Sequence, residues 1–385
     1  MHFEHDEETI EFAAATRRFL EKRVIPVAPT WDEGVRIDSA LLEEIGDMGL
    51  YSMRLPEKYG GLDCSFVKCG AIGYEMGRAD VGFSLMFVNS LMFGQLAPLL
   101  HESVRDRWTP RVAKGAPFAF TLTEPSAGSD AGAIRTRAVR DGDHYVINGE
   151  KSTVTHAGTA EFAVVFARTG GPGPSGISAF LVPWDSPGIE IKLYKSVGER
   201  VCKRGQVFYT DLRVPAINMI GREGGGFREA MRFFDWNSGM LALVCIGAAE
   251  KSLEELVEHV NTREAFGNKI AKYQGVTFQA VEHLTRLEAA KLLAYKVLWM
   301  RDRDIPHSKE AAMAKWHGIR EAYDALHTCI MLTGWAAYGN ELPHDRRMRD
   351  VMGMELGDGT AEIKKMVVAR EVFGRGSLPH FKPRE

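Results

Sequence analysis

Two abrupt changes of texture, at 115–117 and again at 215–226, limit most strongly the folds open to this chain. Up to Gly115 the residues favour helix, from Pro117 short β-branched runs take over, and past Phe227 helix returns almost to the end. A helix buries a stripe that recurs every 3.6 residues and a strand a face that recurs every two, so one segment cannot serve both. The chain reads as helical, β, helical, with expected boundaries at 1–116, 117–224 and 225–385. Its 385 residues are enough for two or three cores rather than one.

Within the first third a helix is expected from Asp6 to about Ala28, with acids in its first turn and Pro26 to end it. A second is expected to start at Asp38 as N-cap. The apolar residues of 70–100 continue the helical pattern, and 112–115 reads as a helix C-terminus. In the middle third, strands are expected over 118–122, 134–139, 162–166, 179–182 and 206–209. Asp141-Gly142 marks a hairpin joining 138–140 to 144–147. The glycine run before Phe227 reads as a hinge or cap, because it lacks the lysine and hydroxyl of a phosphate loop. Beyond it, Leu253, Leu256, Val257 and Val260 show one-faced helical spacing, and breaks at 267–272 and 304–306 divide a bundle. The basic, glycine- and proline-bearing tail from Gly374 is expected to be loose or packed on a neighbour.

Forty-eight basic and 51 acidic residues, with no long run of one sign, argue against nucleic acid or an anionic membrane as partner and for a small molecule. The five cysteines show neither CxxC pairs nor matching histidines, so no metal or disulfide framework is expected. The N-terminus lacks the basic and apolar segments of a signal peptide, and no apolar run is read as long enough to span a membrane. The expectation is a soluble cytoplasmic protein.

Four segments carry chemistry. In 121–130 a strand stops at Pro125 and enters a loop of small, hydroxyl-bearing residues, where Gly128 lets the main chain approach a flat ligand and Ser129 offers a short donor. Asn148-Gly149-Glu150-Lys151 leads to hydroxyls at Ser152, Thr153 and Thr155. Arg263, Phe266-Gly267 and Gln274 place a cation and an amide at a helix junction. Arg349-Asp350 precedes Gly357-Asp358-Gly359-Thr360, where Asp358 or Thr360 suits a helix N-cap.

In this order and spacing the four blocks, with Gly334, Glu341 and Pro343 in the last, resemble the acyl-CoA dehydrogenase family over nearly the whole chain. The resemblance implies an α+β multidomain fold: a helical N-terminal domain, a β-barrel-like middle domain and a C-terminal four-helix bundle, with FAD at their junction. It implies that Phe120, Leu122, Thr123, Gly128 and Ser129 line the flavin, with Thr153 at its edge and Thr155 near its N5. Arg263, Phe266, Gln274, Met331, Gly334 and Trp335 would meet an FAD bound largely by a neighbouring subunit of a homotetramer. Thr360 and Glu362 would complete the cofactor contacts, and Ser129, Asp235, Ser238 and Gly359 would face the acyl-CoA. An electron-transfer flavoprotein is the implied electron acceptor.

Family chemistry is α,β-dehydrogenation of an acyl thioester, in which a carboxylate takes the α-proton and a β-hydride goes to flavin N5. Most relatives carry glutamate before the Gly-Thr pair, and here it is Asp358, one methylene shorter. Others carry the base at the position of Asn237, but an amide cannot accept the proton. Asp358 is therefore the expected base, and its shorter reach points to a branched or cyclic acyl group such as cyclohexanecarboxyl-CoA. Thr153 replaces a tryptophan that shields the flavin edge, and Ser238 an arginine. Met331 replaces a glutamine, Trp335 and Ala337 replace glycines, and His156 stands where asparagine is common, with a solvent-facing or loop histidine and a catalytic role both open. Two other readings share the cofactor: a flavin-dependent monooxygenase on the same fold, and a non-catalytic binder of flavin or acyl thioesters.

Overall fold

The computed structural model describes residues 4–374 together with Gly376 and Leu378. The expectation for the tail therefore falls almost wholly outside the described residues. Helices α1 (Glu7–Arg23), α2 (Ala28–Asp32), α3 (Ser39–Asp47), α4 (Phe66–Ala79), α5 (Val81–Leu96) and α6 (Glu102–Ala113) come first. Asp6 caps α1 by accepting from Thr9 N–H at 2.8 Å, and Asp38 caps α3 by accepting from Ala40 N–H at 3.0 Å. Helix α1 stops at Arg23 rather than near Ala28, because Pro26 has no N–H to give and disfavours helix at the residue before it.

A seven-stranded sheet follows: β1 (Phe118–Thr121), β2 (Arg137–Asp141), β3 (His144–Val154), β4 (Phe162–Arg168), β5 (Ile177–Pro183), β6 (Ile189–Leu193) and β7 (Gly205–Pro215). The order is β1-β4-β2-β3-β7-β6, with β5 added on β4. The β2–β3 hairpin forms, but Asp141 pairs with His144, so the turn is Gly142-Asp143, one residue later than the dipeptide suggested. Gly142 takes the positive φ of 61°. Residues 134–136 stay out of β2, since the Arg135 and Thr136 N–H groups bond a carboxylate instead of a strand. Strand β6, not anticipated from sequence, is a mostly exposed edge whose isoleucines face only the sheet's own core.

The last part comprises α7 (Gly226–Thr262), a small hairpin of β8 (Glu264–Ala265) and β9 (Asn268–Lys269), α8 (Gln274–Arg301), α9 (Ser308–Thr333), α10 (His344–Leu356) and α11 (Ala361–Phe373). Two cores hold the molecule, because the N- and C-terminal helices share one. Strand β4 joins them: Phe162, Val164 and Phe166 face the helices while Ala163, Val165 and Ala167 face the sheet's interior. Both faces are buried, which is why its sequence is apolar throughout.

One expectation is corrected. The stretch Val81–Leu99 is long and apolar enough to cross a membrane by length and composition, yet 83% of it is buried inside the protein. It is apolar on all sides because α5 runs through the core.

Candidate active site

Beyond β1, the segment from Leu122 to Ala127 is held by one buried ion pair. Glu124 accepts from the N–H groups of Arg135 and Thr136 at 2.6 and 2.9 Å, and from Lys151 Nζ at 2.8 Å. Lys151 also donates to Leu122 O at 3.0 Å. Burial pushes the Lys151 ammonium down to about 8 against the pull of Glu124. Two motif residues thus brace the loop from beneath, and Ser152 N–H donates to Thr123 O at 2.9 Å to align the two strand ends. Thr123, Ser152 and Thr155 remain half-exposed along this edge, Gly128 and Ser129 are exposed, and Leu122 is buried in the core.

Past β3 the chain turns sharply, with Thr153 and His156 both at positive φ (54° and 63°). His156 N–H donates to Cys202 O at 2.8 Å, which anchors the turn. The histidine is not solvent-facing: its ring is buried, its Nε2 has no partner, and burial, reinforced by Arg204, pushes it down to about 3. Arg204 was missed in the sequence. It donates to Thr155 Oγ1 at 2.6 Å and to Thr153 O at 3.4 Å, and pairs with Glu199. Glu199 N–H in turn donates to Asp350 Oδ1 at 2.5 Å, so α10 supports this turn from behind.

The helical side meets the sheet through Phe120, whose ring lies 5.8 Å from that of Phe233 and 5.7 Å from that of Phe234, at the start of α7. That contact sets Asp235, Asn237 and Ser238 beside the loop between α10 and α11. Asp358 in this loop has φ 52° and Gly359 has φ 89°. Asn237 Nδ2 donates to Asp358 Oδ2 at 2.8 Å, so the two positions that the resemblance offered for a base touch each other. Thr360, not Asp358, is the N-cap of α11.

Two buried lysines complete the cluster. Lys315 on α9 donates to Met354 O at 3.0 Å and Gly359 O at 2.9 Å, clamping the loop on both sides of Asp358. Burial, with Lys364 nearby, pushes Lys315 down to about 8. Lys364 on α11 donates to Ser238 Oγ at 2.9 Å, and Asp235 accepts from Ser308 Oγ at 2.8 Å. Lys364 supplies a cation beside the position where Ser238 replaces an arginine. Lys315 had a signal in the sequence, as a lone cation among Ala311, Ala312, Ala314 and Gly318. Glu362 is exposed on the first turn of α11.

The remaining expected residues are elsewhere. Arg263, Phe266 and Gln274 lie at the far end of α7, roughly 40 Å from Asn237 at the helical rise. Met331, Gly334 and Trp335 share that end, because α9 returns antiparallel to α8, with His283 Nε2 2.9 Å from Thr328 Oγ1. Phe266 and Trp335 are 95% and 84% exposed. The expected site residues therefore fall into two separated groups on one chain.

Sequence models of the acyl-CoA dehydrogenase N-terminal, middle and C-terminal domains match residues 6–116, 119–212 and 224–373. The chain belongs to the acyl-CoA dehydrogenase family. A Bacillus subtilis protein named as a probable acyl-CoA dehydrogenase is 32% identical over 97% of this chain and 100% of its own length. The cyclohexane-1-carbonyl-CoA dehydrogenase of Geobacter metallireducens is 32% identical over 96% of this chain and 99% of its own. Butyryl-CoA dehydrogenase from Megasphaera elsdenii superposes with a TM-score of 0.92 at 28% identity, covering 97% of this chain and 100% of that one.

This acyl-CoA dehydrogenase is an oxidoreductase acting on CH–CH bonds with FAD as cofactor. The residues present fit the cofactor. A Cβ on Gly128 would project into open space, which leaves the loop's main chain accessible, and three half-exposed hydroxyls lie along the adjoining edge.

Proposed function

We propose that this acyl-CoA dehydrogenase removes the α-proton of its thioester with Asp358. The observation that carries this reading is the hydrogen bond from Asn237 to Asp358, which fixes a carboxylate in a half-buried loop beside Asp235, Ser238 and Gly359. FAD supplies the hydride acceptor. Phe120, Leu122, Thr123, Gly128, Ser129, Thr153 and Thr155 would hold its ring, with Thr360 and Glu362 adding contacts. Ser129, Asp235, Ser238 and Gly359 would bind the thioester. Arg263, Phe266, Gln274, Met331, Gly334 and Trp335 would reach the cofactor of a neighbouring subunit in a homotetramer, which accounts for their distance from Asp358. Reoxidation would fall to an electron-transfer flavoprotein.

The acyl group we propose is cyclic or branched. An aspartate reaches one methylene less far than glutamate, and a misplacement of about 1 Å costs on the order of a hundredfold in rate, so the α-carbon must approach more closely. The full-length likeness to a cyclohexane-1-carbonyl-CoA dehydrogenase supports this choice. Anaerobic titration with linear, branched and cyclic acyl-CoA thioesters tests it, and the cyclic or branched ones should bleach the flavin fastest. Asp358→Asn should retain FAD but show no bleaching, and turnover at the unaltered rate in that variant excludes Asp358 as the base.

A further inference from the structure

We infer that Asn237 is a positioning residue for the base, holding the Asp358 carboxylate in the geometry that its short side chain would not keep alone. The inference rests on the proposal that Asp358 takes the proton.

Asp358 occupies a left-handed conformation (φ 52°) between Gly357 and Gly359, a region that non-glycine residues enter at a cost. Such a residue persists only where its surroundings hold it. Lys315 holds the main chain through Met354 O and Gly359 O. Neither bond reaches the carboxylate. Among the described residues, the Asp358 side chain has one hydrogen-bond partner, Asn237 Nδ2, from a different helix.

Asn237 itself is buried, and its Oδ1 has no partner. An unpaired buried amide oxygen opposes folding, so stability alone does not favour an asparagine here. Its amide nitrogen, by contrast, donates to the Asp358 carboxylate, and a fixed donor keeps that carboxylate oriented. The charged groups facing the loop are Lys315 from α9 and Lys364 from α11, with Glu355 acting on Lys315 and Asp235 on Lys364. Neither lysine bonds Asp358 directly, so Asn237 is the group that sets its direction.

The test compares Asn237→Ala and the isosteric Asn237→Asp with Asp358→Asn, each as the FAD-loaded full chain. Flavin content and the Kd of the 2-enoyl-CoA product should stay within about twofold in both Asn237 variants. The single-turnover rate of flavin bleaching should fall at least tenfold in Asn237→Ala. That loss should fall on the rate and not on product affinity, because the carboxylate has lost the donor that orients it while the groups that bind the thioester are untouched. Asn237→Asp keeps the shape of the side chain but not the donor, so the rate should fall at least tenfold there too. A merely structural role would lower flavin content or product affinity together with the rate. Wild-type bleaching rates in both variants overturn the inference even if Asp358→Asn is inactive. If Asp358→Asn turns over normally, it is the assignment of the base that fails.

Discussion

Lys151 is wholly buried, and burying an ammonium opposes folding by several kcal/mol unless a partner offsets it. Glu124 is that partner, and it also ties down the N–H groups of Arg135 and Thr136 at the root of the loop that follows β1. Lys151→Met should leave the Glu124 charge uncompensated and lower stability by about 3–5 kcal/mol. Adding Glu124→Gln removes that charge while keeping an acceptor for one N–H, and should restore most of the loss. Urea melts of the FAD-free proteins check this, and equal losses in the single and double variants would show no coupling. Glu124 lies in the segment 121–130 and Lys151 in 148–151, but nothing in either sequence says that they meet. His156 does lie in a turn, but its burial was not legible for a related reason: exposure is set by what packs over a turn, here the chain at Cys202.

Among elements, the crossing of α4 and α7 sets the distance between the N-terminal helices and the long helix that carries Asp235, Asn237 and Ser238. A Cβ on Gly77 would lie 1.9 Å from Val244 O, and one on Gly247 would lie 2.3 Å from Tyr74 O. The backbones touch there, and no side chain can yield. Gly77→Ala should therefore push the helices apart at a cost of about 1–3 kcal/mol, seen as a lower thermal midpoint, whereas Gly128→Ala, with open space at its Cβ, should leave the midpoint of the FAD-free protein unchanged. Helix caps and the hairpin were legible because they depend on neighbours in sequence. The buried α5 was less so, since all-round apolarity suits a core and a membrane alike and only packing distinguishes them.

At the scale of the whole molecule, Phe266, Trp335, Tyr338 and Met331 stand 95%, 84%, 74% and 64% exposed at one end of the helical bundle, far from Asp358. Exposed aromatic patches of this kind are covered when chains associate. We propose that this one is covered in a homotetramer, so Trp335→Glu should yield smaller species and lower the FAD content together, measured by sedimentation velocity with flavin absorbance. A tetramer with full FAD in that variant would detach this surface from both roles. The order helical, β, helical and the family itself were determined by the sequence alone, because periodicity and motif spacing are properties of the chain read in one dimension. Only the tertiary structure decided that Asn237 meets Asp358 across 121 residues, that Arg204 lies under Thr155, and that Lys315 and Lys364 flank the loop of Asp358. Those contacts arise where separate helices and strands return to one place, and a local pattern does not encode where a distant segment will pack.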